Sequence, residues 1–280
     1  MIQSLSLGFS TCPNDTFIFG GLATGAVRPE GLHVKLFLAD VEVLNGHARQ
    51  ARLDITKISF HAAMHCLKDY WLLRSGGALG RGCGPIVVAR RPMRPEDLSE
   101  VAVAIPGRFT TADRLLELSG LHRGRRVEMS FEKVMPAVMA REVDAGVVIH
   151  EGRFTYADLG LHKVLDLGAW WENHTGCPLP LGCIVIRRSL GRRTAAAVDR
   201  AIVESLDWAY GHPQEVWPYI SAHAQEMAPT IIRRHIETFV NEFSRDVGTE
   251  GRNAVRRLLE EAARMAGVAL PDVPLFWTDP

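Results

Sequence analysis

The stretch Val127-Glu-Met-Ser-Phe131-Glu-Lys-Val134-Met-Pro-Ala-Val-Met-Ala-Arg141-Glu-Val-Asp-Ala145-Gly-Val-Val-Ile149-His150 decides the fold class. Val127 to Phe131 predicts a strand, Val134 to Arg141 keeps helical spacing, and Ala145 to His150 opens on an apolar run that fits only a buried strand. Strand, helix and strand in that order make a βαβ unit, whose two strands lie parallel in one sheet. Upstream the same grammar repeats. Strands are predicted at 5–10, 33–38, 54–59, 71–74, 85–89 and 101–105, and helices at 15–25, 41–51, 60–67 and 111–118. The class is α/β, with mainly parallel sheets flanked by helices.

Downstream the pattern changes. Val198, Ala201, Ile202, Leu206 and Ala209 keep helical spacing until Gly211-His-Pro213. Ile231, Ile232, His235, Ile236, Phe239, Val240 and Phe243 mark a second helix, and Ala254, Val255, Leu258, Leu259 and Ala262 a third. Amphipathic helices without strands of their own pack on a sheet made elsewhere, so this third of the chain is expected to return to the first sheet. A length of 280 residues suits two domains. The expected division is 1–93 with 188–280 as one domain and 94–187 as the other. A cleft would lie between them, with crossings near 90–95 and 183–189.

Composition removes several function classes. Lys and Arg number 32 against 32 Asp and Glu, so no basic excess is left for a nucleic-acid backbone. Only five of the basic residues are Lys, which makes Lys57 worth locating. Five cysteines without a C-x-x-C pair disfavour a disulfide framework and a zinc ribbon. No run of eighteen apolar residues offers a membrane span. The first residues lack a basic and apolar leader, so a cytoplasmic location is expected. A monomer and a homodimer fit equally well.

Phosphate-loop, dinucleotide, nucleophile-elbow and H-E-x-x-H motifs are all missing from the sequence. Gly76 to Gly84 packs five glycines into nine positions, either as a flexible connection or as a place where backbone approaches a ligand. His61 and His65 share a helix face at i, i+4, but no acidic residue stands at ligand spacing, and no metal is expected.

The chemistry gathers at strand ends, where open α/β sheets bind ligands. Those ends read Ser10, then Lys57-Ile58-Ser59, then Thr110-Thr111, then His150. Hydroxyls and free N–H groups at helix starts suit a carboxylate; plain helix capping is the structural alternative for each. Lys57 is either a counter-charge for an anion or a surface lysine. His150 titrates near neutrality and could take a substrate proton, or could rest on a neighbouring carbonyl. Trp170-Trp171, with the Pro/Gly segment to Gly182, is expected either to wall a cleft or to fill the core.

Several blocks together resemble a known family: Ser10-Thr-Cys-Pro-Asn-Asp-Thr-Phe-Ile-Phe19, Thr56-Lys-Ile-Ser59, Leu73-Arg-Ser-Gly-Gly-Ala-Leu-Gly-Arg-Gly82, Thr110-Thr111, Ile149-His-Glu-Gly-Arg-Phe-Thr-Tyr156, the Trp-Trp segment and Val240-Asn-Glu-Phe-Ser-Arg-Asp-Val-Gly248. The chain is similar, over nearly its whole length, to the 1,4-dihydroxy-6-naphthoate synthase family of the futalosine route to menaquinone. Thr11 departs from the family's Pro, and Phe109 from its His or other ring.

The resemblance implies a two-domain fold like the type II periplasmic binding proteins, without export. It implies conversion of cyclic dehypoxanthine futalosine, a small-molecule substrate, to 1,4-dihydroxy-6-naphthoate with release of dihydroxyacetone. His150 matches the family's proposed base; Lys57, Ile58, Ser59, Thr110 and Thr111 match substrate-contacting positions, and Ser10 joins them from the strand-end reading. No cofactor is implied. The alternatives are a chorismate dehydratase-like enzyme of the same pathway and a solute-binding protein of the same fold without catalysis. Whether a carboxylate sits at Thr110-Thr111 or at Ser10 stays open, as does the role of Val240 to Gly248.

Overall fold

A computed structural model describes residues 3–225 and 228–279. The chain opens with β1 (Gln3–Phe9), α1 (Pro13–Ile18), α2 (Gly20–Thr24), β2 (Leu32–Leu38), α3 (Val41–Arg49), β3 (Ile55–Ser59), α4 (Phe60–Met64), β4 (Tyr70–Leu72) and β5 (Ala78–Gly80). A second group follows: β6 (Ile86–Ala89), β7 (Val103–Ile105), α5 (Thr111–Leu118), β8 (Arg126–Glu128), α6 (Phe131–Met139), β9 (Ala145–Val148), α7 (Gly152–Thr155), β10 (His162–Asp166) and α8 (Leu167–Thr175). Then β11 (Leu179–Arg187) leads into α9 (Gly191–Gly211), α10 (Pro213–His223), α11 (Pro229–Phe239), α12 (Glu242–Arg245) and α13 (Gly248–Met265).

The first sheet has the order β2-β1-β3-β11-β4, with β5 paired to β11; the second has the order β10-β6-β9-β7-β8. The α/β class holds, but both sheets are mixed rather than mainly parallel. β1 runs parallel to β2 and β3, and β7 parallel to β8 and β9. β11 runs against β3, β4 and β5, and β6 against β9 and β10. Parallel strands arise where a helical crossover carries the chain back, as in the unit around Val134, whose strands β8 and β9 lie on either side of β7. β6 and β11 carry the chain between the sheets without such a crossover, so nothing imposes the parallel sense on them. The strands change sheet between Gly80 and Ile86 and again between Asp166 and Leu179, earlier than the expected crossings.

Local chemistry explains the elements. Asp40 caps α3 by accepting from the Glu42 N–H at 2.8 Å, and Thr110 caps α5 by accepting from Asp113 N–H at 3.2 Å. The helix expected at 15–25 is broken at Phe19, and the next residue, Gly20, packs against α10: a Cβ there would stand 2.3 Å from Val216 Cγ2. Pro213, expected only as a stop, also begins α10, where its missing N–H costs nothing.

The C-terminal helices return to the first sheet as expected, with α9 on α1 and α2, α11 on α1, and α13 on α4 and β11. Leu5, Leu7, Ile184, Ile202 and Leu206 form the core beneath them. A second core, including Ile58, Val87, Val103, Leu115, Trp171 and Leu258, runs continuously from one sheet to the other. Each such side chain contributes about 1.5–3 kcal/mol on burial. Among the described residues no helix is long and apolar enough to cross a membrane.

Candidate active site

One cavity takes in every strand end singled out in the sequence. Ser10 beyond β1, Lys57, Ile58 and Ser59 at the end of β3, Thr110 and Thr111 at the start of α5, and His150 beyond β9 all line it. The carboxyl ends of parallel strands in both sheets thus open onto a single space. Gly84, from the glycine run, and Leu181, from the Pro/Gly segment read as a cleft wall, line it too, as do Asn14, Asp15, Cys83, Arg153 and Phe239, which were not foreseen. Cys83 is no nucleophile, because burial pushes its thiol up to about 12.

Lys57 does not serve as a free counter-charge. Its Nζ lies 2.8 Å from Asp15 Oδ1 and donates to Gly76 O at 3.0 Å, with side-chain exposures of 6% for Lys57 and 3% for Asp15. Asp15 also accepts from Ser10 Oγ at 2.7 Å, Ser10 N–H at 3.2 Å and Asn14 Nδ2 at 2.8 Å. Ser10 is therefore already bound to an anion, and a substrate carboxylate beside it would meet Asp15. The partner of Lys57 lies on α1, where no spacing in the sequence pointed to it.

Helix α5 offers the opposite electrostatics. Thr110 Oγ1 is spent on the cap and on donation to Gly107 O at 2.7 Å, and Thr111 Oγ1 donates to Leu181 O at 2.8 Å. Among the described residues no acceptor pairs with the N–H groups of Thr111 and Ala112, both of which line the cavity at the positive end of the helix. Ser59 Oγ accepts from Asn45 Nδ2 at 3.4 Å, and its own proton goes to none of the described groups. The donors left for an anion sit here.

His150 follows β9 rather than ending it. Its φ of 56° places a non-glycine residue in the left-handed region, at a cost of roughly 1–3 kcal/mol. The ring meets Phe131 edge-on at 4.9 Å and stacks on His235 at 5.9 Å. Its Nε2 is buried with no partner among the described residues. Burial lowers its pKa; Glu151 opposes the shift and His235 adds to it. Glu151 beside it is kept below the usual carboxylate range: burial resists ionisation, but His235 and His150 outweigh it.

The chain matches, over residues 5–264, the family described as menaquinone biosynthesis. It belongs to that family. It is 49% identical to the 1,4-dihydroxy-6-naphtoate synthase of Thermus thermophilus over 276 residues, covering 98% of this chain and all of the relative. It is 43% identical to the enzyme of the same name from Streptomyces coelicolor over 266 residues, 93% of each. Among solved structures, protein AF1704 from Archaeoglobus fulgidus superposes with a TM-score of 0.88 at 34% identity, over 94% of this chain and 98% of that one. The alkanesulfonate-binding protein of Xanthomonas axonopodis pv. citri bound to MOPS gives 0.68 at 13% identity, over 97% and 96%. That likeness shows the periplasmic-binding-protein fold.

Within this menaquinone-biosynthesis chain the remaining sequence features find their places. Phe109 does not wall the cavity. It lies behind it, with the Arg49 guanidinium 3.6 Å from its ring centroid and His61 and His65 alongside. His61 accepts from Arg114 Nε at 3.1 Å, and burial with that guanidinium lowers its pKa to about 3. Among the described residues no group of three His, Cys, Asp or Glu could hold a metal ion. Trp171 is fully buried, donating Nε1–H to Pro178 O at 3.2 Å, and Trp170 stacks on His174. Neither lines the cavity, but the segment after them does: Leu181 and Gly182, in strand β11, form part of its wall.

The glycine run does bring backbone to the site. Gly84 lines the cavity with its backbone against α8: a Cβ there would lie 2.2 Å from Gly168 Cα. The block from Val240 to Gly248 holds this run in place. Ser244 Oγ donates to Gly77 O, Asn241 Nδ2 to Leu79 O and Gly76 N–H to Ser244 O, at 2.7–2.8 Å.

Proposed function

We propose that this chain is itself a 1,4-dihydroxy-6-naphthoate synthase, converting cyclic dehypoxanthine futalosine to 1,4-dihydroxy-6-naphthoate with release of dihydroxyacetone. One observation carries the reading. A buried imidazole with an unpartnered Nε2 shares a cavity with the N-terminus of a helix whose first donors are unpaired. The names borne by the Thermus and Streptomyces relatives supply the product, 1,4-dihydroxy-6-naphthoate.

The substrate's ring carboxylate is taken by the N–H groups of Thr111 and Ala112 and by the Ser59 hydroxyl. Ile58, Leu181 and Phe239 hold the ring. Lys57, Asp15 and Ser10 act together as one neutral strut that fixes α1 against β3. His150 removes a proton from the bound substrate, ring opening and carbon–carbon cleavage follow, and aromatisation of the second ring supplies the driving force. The two sheets with their helices serve as two lobes that meet at the cavity.

Purified protein incubated with cyclic dehypoxanthine futalosine should develop naphthoate absorbance, and with chorismate should yield nothing. His150→Ala, folded as judged by circular dichroism, should lose turnover and keep most of its substrate affinity. Turnover retained in that variant removes His150 from the role of base. Binding of the substrate by the unsubstituted protein with no reaction would leave only a binding protein.

A further inference from the structure

His235 lies on the buried face of α11 at 1% exposure, among isoleucines that need no imidazole. Its Nε2 is 3.0 Å from Asn14 Oδ1 and its Nδ1 is 3.4 Å from Glu151 Oε2. Its ring lies nearly parallel to that of His150, inclined by 13° with centroids 5.9 Å apart.

The proton positions follow from the neighbours. Asn14 Nδ2 donates to Asp15 Oδ1, so turning that amide round would set its oxygen against a carboxylate. Asn14 therefore presents Oδ1 to His235, and His235 Nε2 must carry a proton to donate. Nδ1 is then left facing Glu151 Oε2, and neither atom has a hydrogen-bond partner among the described residues. A bare Nδ1 would set lone pair against lone pair in a buried place. One proton between them turns that repulsion into an attraction of imidazolium for carboxylate.

We propose that His235 and Glu151 hold one shared proton as a buried charge pair, and that His235 is a positioning residue whose charge and stacked ring keep His150 unprotonated and fixed against the cavity. The catalytic half of this rests on the reading of His150 as the base. The charged groups around His150 are Glu151 next to it in the chain, Asp15 on α1, Asp40 ahead of α3 and His235 on α11. The three acids favour a charged His150. Burial opposes them most, and His235 is the one charged group that adds to it.

The test uses His235→Gln, which keeps an N–H for Asn14 without the charge, His235→Phe, which keeps a stacked ring, and Glu151→Gln. Losing a unit charge about 6 Å away should raise the acidic limb of the kcat/KM profile by about 1–2 pH units in both His235 variants. Glu151→Gln removes acid and proton together and should move the limb little. A fall in kcat with the limb unmoved in both His235 variants overturns the proposal. Imidazole-labelled protein followed by NMR separates this idea from the catalytic reading. Both His235 nitrogens should carry protons at pH 7, in the unsubstituted protein and in His150→Ala alike, and the His150 ring should titrate higher in His235→Gln. A neutral His235 at pH 7 sinks the charge pair even if His150 proves to be the base. Turnover surviving in His150→Ala sinks the base, and the His235 signal still decides the pair.

Discussion

Removing either member of the Lys57–Asp15 pair should destabilise the protein, and the two losses should be unequal. Lys57→Met leaves the Asp15 carboxylate with three donors, Ser10 Oγ, Ser10 N–H and Asn14 Nδ2. Hydrogen bonds to a charged group are worth about 1.5–3 kcal/mol each, so the stranded carboxylate stays largely satisfied and the cost is about 2–3 kcal/mol. Asp15→Ala leaves a buried ammonium with only Gly76 O, and it also strands the Ser10 N–H and the Asn14 amide. That loss belongs at the top of the range for breaking a buried pair, about 5 kcal/mol. The difference of about 2 kcal/mol should separate the urea midpoints by about 0.7 M if m is about 3 kcal/mol/M. Tryptophan fluorescence and far-UV circular dichroism should report the same order. Substrate affinity of folded Lys57→Met should fall only modestly, because its charge is already matched. Equal midpoints for the two variants would refute the reasoning. So would a Lys57→Met protein of full stability that no longer binds the anionic substrate, which would return Lys57 to the role of counter-charge.

Two further outcomes test the frame of the site. Glu42 accepts from the Phe109 N–H at 3.1 Å, and burial, against hydrogen bonds from Asn45 and Phe109, raises its carboxyl to about 7. Its folded pKa exceeds its ordinary one, so the folded state holds the extra proton between about pH 4.5 and 7 and stability falls as pH rises through that window. Glu42→Gln should therefore gain on the unsubstituted protein by about 1–2 kcal/mol between pH 5 and pH 8, the partly exposed carboxyl being screened by solvent. Denaturant midpoints across that range check it, and a pH-independent difference would be the contrary result. Gly84→Ala must push β5–β6 backbone away from Gly168 and should cost about 3 kcal/mol or more, seen as a fall in Tm with a raised KM. An unchanged Tm would mean that the two backbones part freely.

The positions of the site were legible because their signal is local. An apolar run followed by Ser10, Ser59, Thr110-Thr111 or His150 marks a strand ending at a helix or turn, and parallel neighbours bring such ends to one side of a sheet. Element type followed from the same periodicities, and α5 begins at Thr111 as expected. What each polar group does was not legible, because it depends on partners far away in the chain. Lys57 reads alike whether it faces solvent, substrate or Asp15. His235 sits in a stripe of Ile231, Ile232, Ile236 and Phe239 that reads as core. An imidazole on an apolar helix face was the available signal, and only the approach of α11 to Asn14 and Glu151 gives it meaning. The adjacent tryptophans misled for a related reason. Composition can show that a ring will be buried, but whether it faces ligand or core is set by the helix phase of α8. Strand direction failed at β6 and β11 because alternation describes what lies between strands, and these two enter and leave a sheet without a full crossover.

These separate observations converge on how a fold shared with binding proteins can hold a reaction. Polar groups that the protein satisfies internally cannot respond to a ligand without loss, and around this cavity most are so satisfied. Lys57, Asp15 and Ser10 neutralise one another, and Thr110 is spent on capping. Among the residues that line the cavity, a first set, the donors at the start of α5 with the Ser59 hydroxyl, and a second, the buried imidazole Nε2 of His150, have donors or acceptors left over among the described residues. In the proposed reaction the first set takes the anion and the second accepts the proton. A substrate anchored by its carboxylate at the first set presents its remaining atoms to the second, so orientation and chemistry come from the same accounting of hydrogen bonds. The left-handed turn that puts His150 there is strained, and the rings of Phe131 and His235 pack against it.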